Sequence, residues 1–183
     1  MDFRSLREAD PRALESAAQA YAKLHDSLQE DQREWRGGTA DPVAHSGWQG
    51  PAASAANGSV GRTSRKLDDT TTGLAPMSRL LNQGAADIRA AQNDLRQTLD
   101  EATAAGLVVG EDGSVSWEAT QTAYTDEATA ARTDAEHKKQ AEQTSARINH
   151  ILERAADTDR ALTGQLDAAG ATARGLAAQA RPA

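Results

Sequence analysis

The sequence predicts an all-α fold, an elongated antiparallel hairpin or bundle of long helices with one small β-hairpin inserted. The first observation is composition, because aromatic residues make up 3% of the chain and alanine carries much of its 38% hydrophobic content. Alanine, leucine, glutamate, glutamine and arginine lose little side-chain freedom in a helix. The second is periodicity, since large apolar residues recur every seven positions over long stretches. This spacing is typical of helices that pack along narrow seams.

Charge and cysteine content exclude several classes of function. The net charge of −7 disfavours binding to nucleic acid or to an anionic membrane surface, where basic residues must dominate. With no cysteine there is neither a disulfide frame nor a thiolate metal site. No apolar run approaches the ~20 residues of a membrane span, and residues 1–6 lack the pattern of a signal peptide. If the protein is exported, we expect a route that reads no cleavable leader.

The first long helix is predicted over about 11–36. Asp10 is a favoured N-cap and Pro11 suits the first helical position. One heptad row runs along this helix, through Leu14, Tyr21, Leu28 and Trp35. Gly37-Gly38 is expected to end it, and residues 37–50 are expected to form a bend.

A second helix is predicted over about 51–105, beginning at Gly50-Pro51. It carries the longest periodic pattern in the chain, with one apolar residue per heptad at Val60, Leu67, Leu74, Leu81, Ile88 and Leu95. Gly73 and Pro76 interrupt it, which predicts either a kink or two helices in line. Because the heptad phase survives the interruption, a bend is the preferred interpretation.

Residues 106–117 read as a small β-hairpin, with β-rich runs on both sides of Gly110-Glu111-Asp112-Gly113. An ordered loop is the alternative.

A third helix and a frayed tail are predicted over 118–183. The heptad row of this third helix consists of Ala141, Ile148, Ala155, Leu162 and Ala169. Asp159 lies beside this row, either as a buried residue that fixes the register or as a solvated one.

The bend carries a resemblance to a known family. Trp48-Gln49-Gly50 is a Trp-x-Gly sequence between two predicted helices, and a helix rich in small residues follows it directly. This arrangement resembles the WXG100 (ESAT-6-like) superfamily, over about Leu14 to Leu99. The resemblance implies a helical hairpin exported by a type VII secretion system. Glycine permits the tight turn, and we expect the Trp48 indole to seal the open end of the hairpin. Trp35-Arg36-Gly37 competes for the motif, but Trp35 lies on the heptad row.

The chain departs from the small members of that family. It is longer, and in this it resembles actinobacterial type VII substrates or the targeting domains of exported toxins. The family's Tyr-x-x-x-Asp/Glu export signal is absent, because Tyr21 is followed by His25 and Tyr124 by Ala128. A looser export pattern can be traced through Ala155, Asp159, Leu162 and Leu166. The missing signal suggests that a partner chain supplies it.

We therefore expect a type VII secretion substrate or targeting domain, made in the cytoplasm and found outside the cell or on its surface. We expect it to be no enzyme and to need no cofactor or metal, since none of its histidines has the spacing of a metal pair. A cytosolic coiled-coil scaffold or adaptor, and the carrier portion of a toxin, are the alternatives. The expected partner is a small WXG100-like protein or a second copy. It would pack on a row expected to be partly uncovered because the seams are rich in alanine: Leu74, Leu81, Ile88 and Leu95.

Overall fold

A computed structural model describes residues 1–118 and 126–179, with side chains over 1–118 and 126–171. Tyr124 and residues 180–183 of the predicted tail lie outside what is described. Helices cover more than two thirds of the chain, so the predicted all-α class with one β-hairpin is confirmed. The elements in order are α1 (Phe3–Glu8), α2 (Pro11–Trp35), a π turn (Arg36–Ala40), α3 (Asp41–Ala44), α4 (Pro51–Ala104), β1 (Leu107–Val109), β2 (Val115–Trp117) and α5 (Glu127–Gln179).

The short helix α1 was not predicted. Asp2 caps it, because its carboxylate accepts a hydrogen bond of 2.7 Å from the Ser5 backbone N–H. Phe3 and Leu6 bury almost completely, at 3% and 0% exposed. The helix therefore contributes two large side chains to the core although it spans six residues.

Gly37-Gly38 does not end the first helical segment, and this prediction is wrong. The π turn contains both glycines, and α3 continues from it to Ala44. The backbone N–H of the next residue, His45, donates to the Asp41 carbonyl at 3.0 Å, as in a further helical turn. Neither glycine has a positive φ, and a Cβ added to either would have no atom within 4 Å. Both therefore stay in the helical path of the backbone. The bend is correspondingly shorter than predicted and falls after Ala44.

Helix α4 is one element of 54 residues with Pro76 inside it. The alternative of two separate helices is thus excluded. Proline has no N–H to donate to the carbonyl four residues earlier, so the helix lacks one backbone hydrogen bond at this point. Two apolar residues of the turn that follows, Met77 and Leu81, are buried. Their burial stabilises the helix where the hydrogen bond is missing.

The β-hairpin is confirmed. β1 and β2 pair antiparallel, with Leu107 opposite Trp117 and Val109 opposite Val115. The turn between them is closed by hydrogen bonds from Gly110 N–H to the Ser114 carbonyl and from Gly113 N–H to the Gly110 carbonyl. Glycine is required at 113, where φ is +85° and an added Cβ would lie 2.9 Å from the Phe3 ring.

Helix α5 begins at Glu127, later than the predicted start at 118. Trp117 belongs to β2, in agreement with the hairpin predicted over 106–117, and Asp126 caps the helix by accepting from the Thr129 N–H at 2.9 Å. The sequence reading overlooked this Asp-x-x-Thr start. Two ion pairs show that α5 runs antiparallel to the end of α4, because Arg147 meets Glu101 and the later Arg154 meets the earlier Asp94.

The chain divides into two compact units, and each has its own packing. Unit 1 consists of Met1–Pro11 and Gly84–Ala161; unit 2 consists of Arg12–Gln83 and Leu162–Ala183. The largest fully buried side chains, Leu6, Leu95 and Ile148, all belong to unit 1. A smaller cluster in the same unit joins the hairpin to the helices, through Ala102, Leu107 and Ala141.

Candidate functional site

The bend that carries Trp48-Gln49-Gly50 is fixed by its own backbone and by small polar side chains. The Ser46 hydroxyl donates to the Val43 carbonyl at 2.9 Å and accepts from the Trp48 N–H at 3.2 Å. Gly50 has a φ of +105°, which disfavours any side chain there, and its carbonyl accepts the Ser54 N–H at the start of α4. The Gly50 prediction therefore has a clear physical basis in the turn.

The Trp48 indole does not seal the end of the hairpin as expected, because the side chain is 54% exposed. The hydrogen bonds just described close the bend without it, and Ala53, at 3% exposed, already fills the first turn of α4. An indole left half in water is a large apolar surface with one polar N–H, a combination enriched at protein interfaces. The structure thus changes the interpretation of Trp48 from internal packing to an outward-facing contact.

Polar contacts fix the register of α2 against α4 below the bend. The Trp35 indole N–H donates to the Ser64 hydroxyl at 3.0 Å. Asp68 accepts hydrogen bonds from Gln32 and from Arg36, the latter at 2.8 Å. Later residues of α2 meet earlier residues of α4, so the two helices run antiparallel. Trp35 therefore packs in the seam, which agrees with its heptad position and separates it from the Trp-x-Gly motif.

The row expected to be partly uncovered is mostly buried within the chain. Leu81, Ile88 and Leu95 are 5%, 9% and 1% exposed, and only Leu74 is half-buried. In unit 1 the reason is the size of the residues that α1 and α5 add to the core, where Leu6 and Ile148 bury fully. The expectation of weak alanine seams did not include α1 or Ile151 of α5, which is 4% exposed.

Much of the apolar surface that remains accessible lies in unit 2, although Val108 of unit 1 is 57% exposed. We call the following set of half-buried side chains on α2 and the first part of α4 the unit 2 row: Leu14, Tyr21, Leu28, Trp35, Val60, Leu67 and Leu74. Leu24, on the same face of the sequence pattern, is 46% exposed. The heptad analysis identified these residues as seam positions but did not show that their coverage is incomplete.

The looser export pattern lies on α5. Ala155 is 4% exposed and so is covered within the chain. Asp159 is exposed, which confirms the solvated interpretation of this residue, and Leu162 and Leu166 are half-buried. The four positions therefore mix a covered residue with accessible ones.

Two of the described histidines, His25 and His45, have hydrogen-bond partners, whereas the buried Nδ1 atom of His137 has none among the described residues. His45 contacts the Asp41 carbonyl through Nδ1 at 2.7 Å, and half-buried His25 lies 3.4 Å from the Gln29 amide. Hydrogen bonds from Ser114 and from Thr129 hold the pKa of Asp112 and of Asp126 below the usual range. Such bonds favour the charged carboxylate, as expected for turn and cap residues. Within 1–118 and 126–179, no group of potential ligands has the arrangement of a metal site.

The search for a membrane span gave a negative result over the part of the chain that is described. None of its helices combines the length and the apolar character that crossing a bilayer requires.

Comparison with known proteins gives one match. No curated protein and no solved structure matches the chain significantly. Residues 8–93 match the sequence model of WXG100, described as proteins of 100 residues with WXG. The matched segment contains α2, the bend with Trp48, and most of α4. The match supports the resemblance to the WXG100 (ESAT-6-like) family that was drawn from Trp48-Gln49-Gly50.

Proposed function

We propose that the chain is a type VII secretion substrate, or a targeting domain for that route, and that it acts by helix–helix interaction and not as an enzyme. The observation that carries the proposal is the exposed Trp48, in the hydrogen-bonded bend of the segment that matches the WXG100 model. Exposing an indole in water forfeits the stabilisation of ~1.5–3 kcal/mol that burying a large apolar side chain gives. A tryptophan that is 54% exposed in that position is suited to contact another protein.

The unit 2 row supports a helical partner. Its residues recur at heptad spacing and stay half-buried in the isolated chain, so a partner helix with the same spacing would complete their burial. The partner we propose is a small WXG100-like protein in a heterodimer, or a second copy in a homodimer. The row that we first assigned to this role is largely covered, and the unit 2 row takes its place.

Export completes the proposal. Tyr21 is followed by His25 where the family signal has an acidic residue, so the partner would supply the signal. In the looser pattern, Asp159 and the half-buried Leu162 and Leu166 are the members that a receptor could reach. The proposed destination is the cell surface or the medium.

The proposal is tested by Trp48→Ala with Trp117→Ala as the matched control. Trp117 is half-buried and packs against the hairpin cluster, so its loss should lower the melting temperature. Trp48→Ala should leave the melting temperature within about 3 °C of wild type, since surface changes usually stay within ~0.5 kcal/mol. It should nevertheless reduce secretion, measured as protein in the medium against protein in the cells, and should weaken partner capture.

Two outcomes would contradict the proposal. Unchanged secretion of folded Trp48→Ala would show that the bend does not act in export. A protein that stays in the cytoplasm, yet still binds a helical partner through the unit 2 row, would favour the scaffold or adaptor alternative. If native secretion requires a catalytic domain that follows this chain, the carrier portion of a toxin is the better description.

A further inference from the structure

An open cleft in unit 1 lies between α1 and the last part of α4. It has a volume of about 460 Å³ and is lined by Arg7, Gln92, Leu95, Arg96 and Leu99. Gln92 fixes the two walls in place, because its amide donates to the carbonyls of Leu6 and Ala9 at 3.0 and 2.8 Å. These bonds hold α1 against α4, while the two arginines at the cleft, Arg7 and Arg96, are exposed.

Two guanidinium groups at this cleft lack an acidic partner. Arg7 lies over the Phe3 ring, with 5.7 Å between its Cζ and the ring centroid. Arg96 contacts the Asn93 side-chain oxygen, which is neutral. Among residues 1–118 and 126–171, no ion pair with a carboxylate involves either arginine. This is notable in a chain with 27 acidic and 20 basic residues.

Two acidic residues line a neighbouring cleft that Arg7 also borders, and one of them is already paired. Arg7 also borders a neighbouring cleft of about 220 Å³ with Arg4, Glu8 and Glu111. Glu8 accepts a hydrogen bond of 2.9 Å from Arg4. Glu111 is thus the carboxylate of this chain that a ligand would have to compete with for Arg7. It does not line the cleft that contains Arg96.

The floor between the two arginines is apolar but shallow. Leu95 is 1% exposed, so it offers little free surface, and Leu99 is half-buried. A fatty acid would find a place for its carboxylate but little surface for its chain. Leu95 and Leu99 stand one helical turn apart, and a second helix presents side chains at the same spacing. On α4, Arg96 and Leu99 are also about one turn apart. A partner helix with a carboxylate and a leucine at that spacing could place the carboxylate on Arg96 and the leucine on Leu99.

We propose that this cleft binds a helical segment of another protein through a carboxylate held between Arg7 and Arg96, with an apolar side chain on Leu99. The site goes beyond the proposed secretion role, since four of its five residues lie outside the matched segment 8–93. Charge complementarity selects the ligand, because guanidinium groups form charge-assisted hydrogen bonds with carboxylates.

The test uses the full chain and two synthetic helical peptides of about 16 residues, a length at which alanine-rich helices begin to form. One peptide carries a glutamate and a leucine one turn apart, and the other replaces that glutamate with glutamine. Binding is followed by nuclear magnetic resonance, including the arginine side-chain N–H signals. The glutamate peptide should bind at least about threefold more tightly, since a hydrogen bond to a charged group is stronger than a neutral one. The difference should shrink as salt is raised.

Three arginine variants locate the site. Arg7→Gln and Arg96→Gln should each abolish the preference for the glutamate peptide. Arg4→Gln is the matched control, because Arg4 lies on the same short helix as Arg7 but outside the cleft. Arg96→Gln leaves the contact of Arg7 with Phe3 intact, so it remains informative if Arg7→Gln loosens α1.

The proposal is overturned if both peptides bind equally, or if Arg4→Gln weakens binding as much as Arg96→Gln. Failure of both peptides to bind at millimolar concentration overturns it as well. Dodecanoate that shifts the Arg96 signals when the glutamate peptide does not would also overturn it, and would identify a site for free fatty acids.

Discussion

The two units of the chain use the same heptad spacing and reach different degrees of burial. In unit 1, Leu95, Ile148 and Ile151 are 1%, 2% and 4% exposed. In unit 2, most residues at equivalent spacing, such as Leu28 and Leu67, are half-buried, and Leu81 is the buried exception on that row. Unit 1 has additional elements, since α1 and the β-hairpin pack with its helices. Heptad spacing therefore determines which face of a helix is apolar, whereas the number of elements around that face determines how completely it is covered.

The largest expected difference between the two units is in the free energy of unfolding lost when one leucine in each is truncated to alanine. Leu95→Ala should lower the free energy of unfolding by about 2–5 kcal/mol, because it leaves a cavity in a closed core. Leu28→Ala should cost about 1 kcal/mol, since a half-exposed leucine has gained only part of its burial energy. Urea denaturation of both variants gives the comparison. Equal losses would show that the unit 2 row is covered in solution, as it would be in a dimer.

A pair of glycines sharpens the same comparison. Gly113→Ala in unit 1 should cost about 1–3 kcal/mol, because a side chain is strained at positive φ and would also press on Phe3. Gly73→Ala in α4 of unit 2 meets no atom within 4 Å and should stabilise the helix by about 0.5–1 kcal/mol. Thermal melts of both variants, beside wild type, measure the difference. A neutral Gly113→Ala would contradict the contact between α1 and the hairpin turn.

The smallest effect concerns acid. The Ser5 backbone N–H holds the pKa of Asp2 below its usual range, and the described carboxylates with lowered pKa, Asp2, Glu101, Asp112 and Asp126, all belong to unit 1. Their folded-state pKa is below the unfolded one. Their contribution is therefore fully present above about pH 4 and is lost as pH falls through the folded values.

Asp2→Asn isolates one of these groups, because asparagine can still cap α1 but does not titrate. Wild type should lose more stability than Asp2→Asn between pH 5 and pH 2.5, as followed by melts of the two proteins. An identical acid dependence would mean that the Asp2 cap contributes nothing to the pH response of unit 1.

Much of the fold follows from local sequence chemistry. The three long helices, the faces they bury and the β-hairpin were predicted from heptads, Pro at helix starts and glycine at a turn. The six-residue α1 was missed because one apolar pair, Phe3 and Leu6, is too little to establish a period. Asp2 three residues before Ser5 was the available signal. The start of α5 was misplaced because the prediction continued the helix directly from the hairpin and did not recognise the Asp126 cap, three residues before Thr129.

The candidate site was predictable in position but not in orientation. Trp48 and Gly50 were located by motif and by turn chemistry, and the positive φ of Gly50 agrees with the latter. Whether the indole points inward depends on what else closes the bend, and here the Ser46 hydroxyl does so. Likewise, the burial of Leu81, Ile88 and Leu95 depends on tertiary packing, including residues far away in sequence. Periodicity carries no information about such contacts.

Because Gln92 donates hydrogen bonds to Leu6 and Ala9, α1 can form these contacts only after residue 92 has been synthesised. They join residues 86 and 83 positions apart, and Phe3 also needs Gly113. At ~5–20 residues per second, synthesis of that intervening stretch takes about 5–20 s. During this interval α1 has no partner, and a six-residue helix is not stable alone. Residues 3–8 are thus ordered only after the later elements they contact, which leaves them accessible to chaperones and proteases while those elements are made.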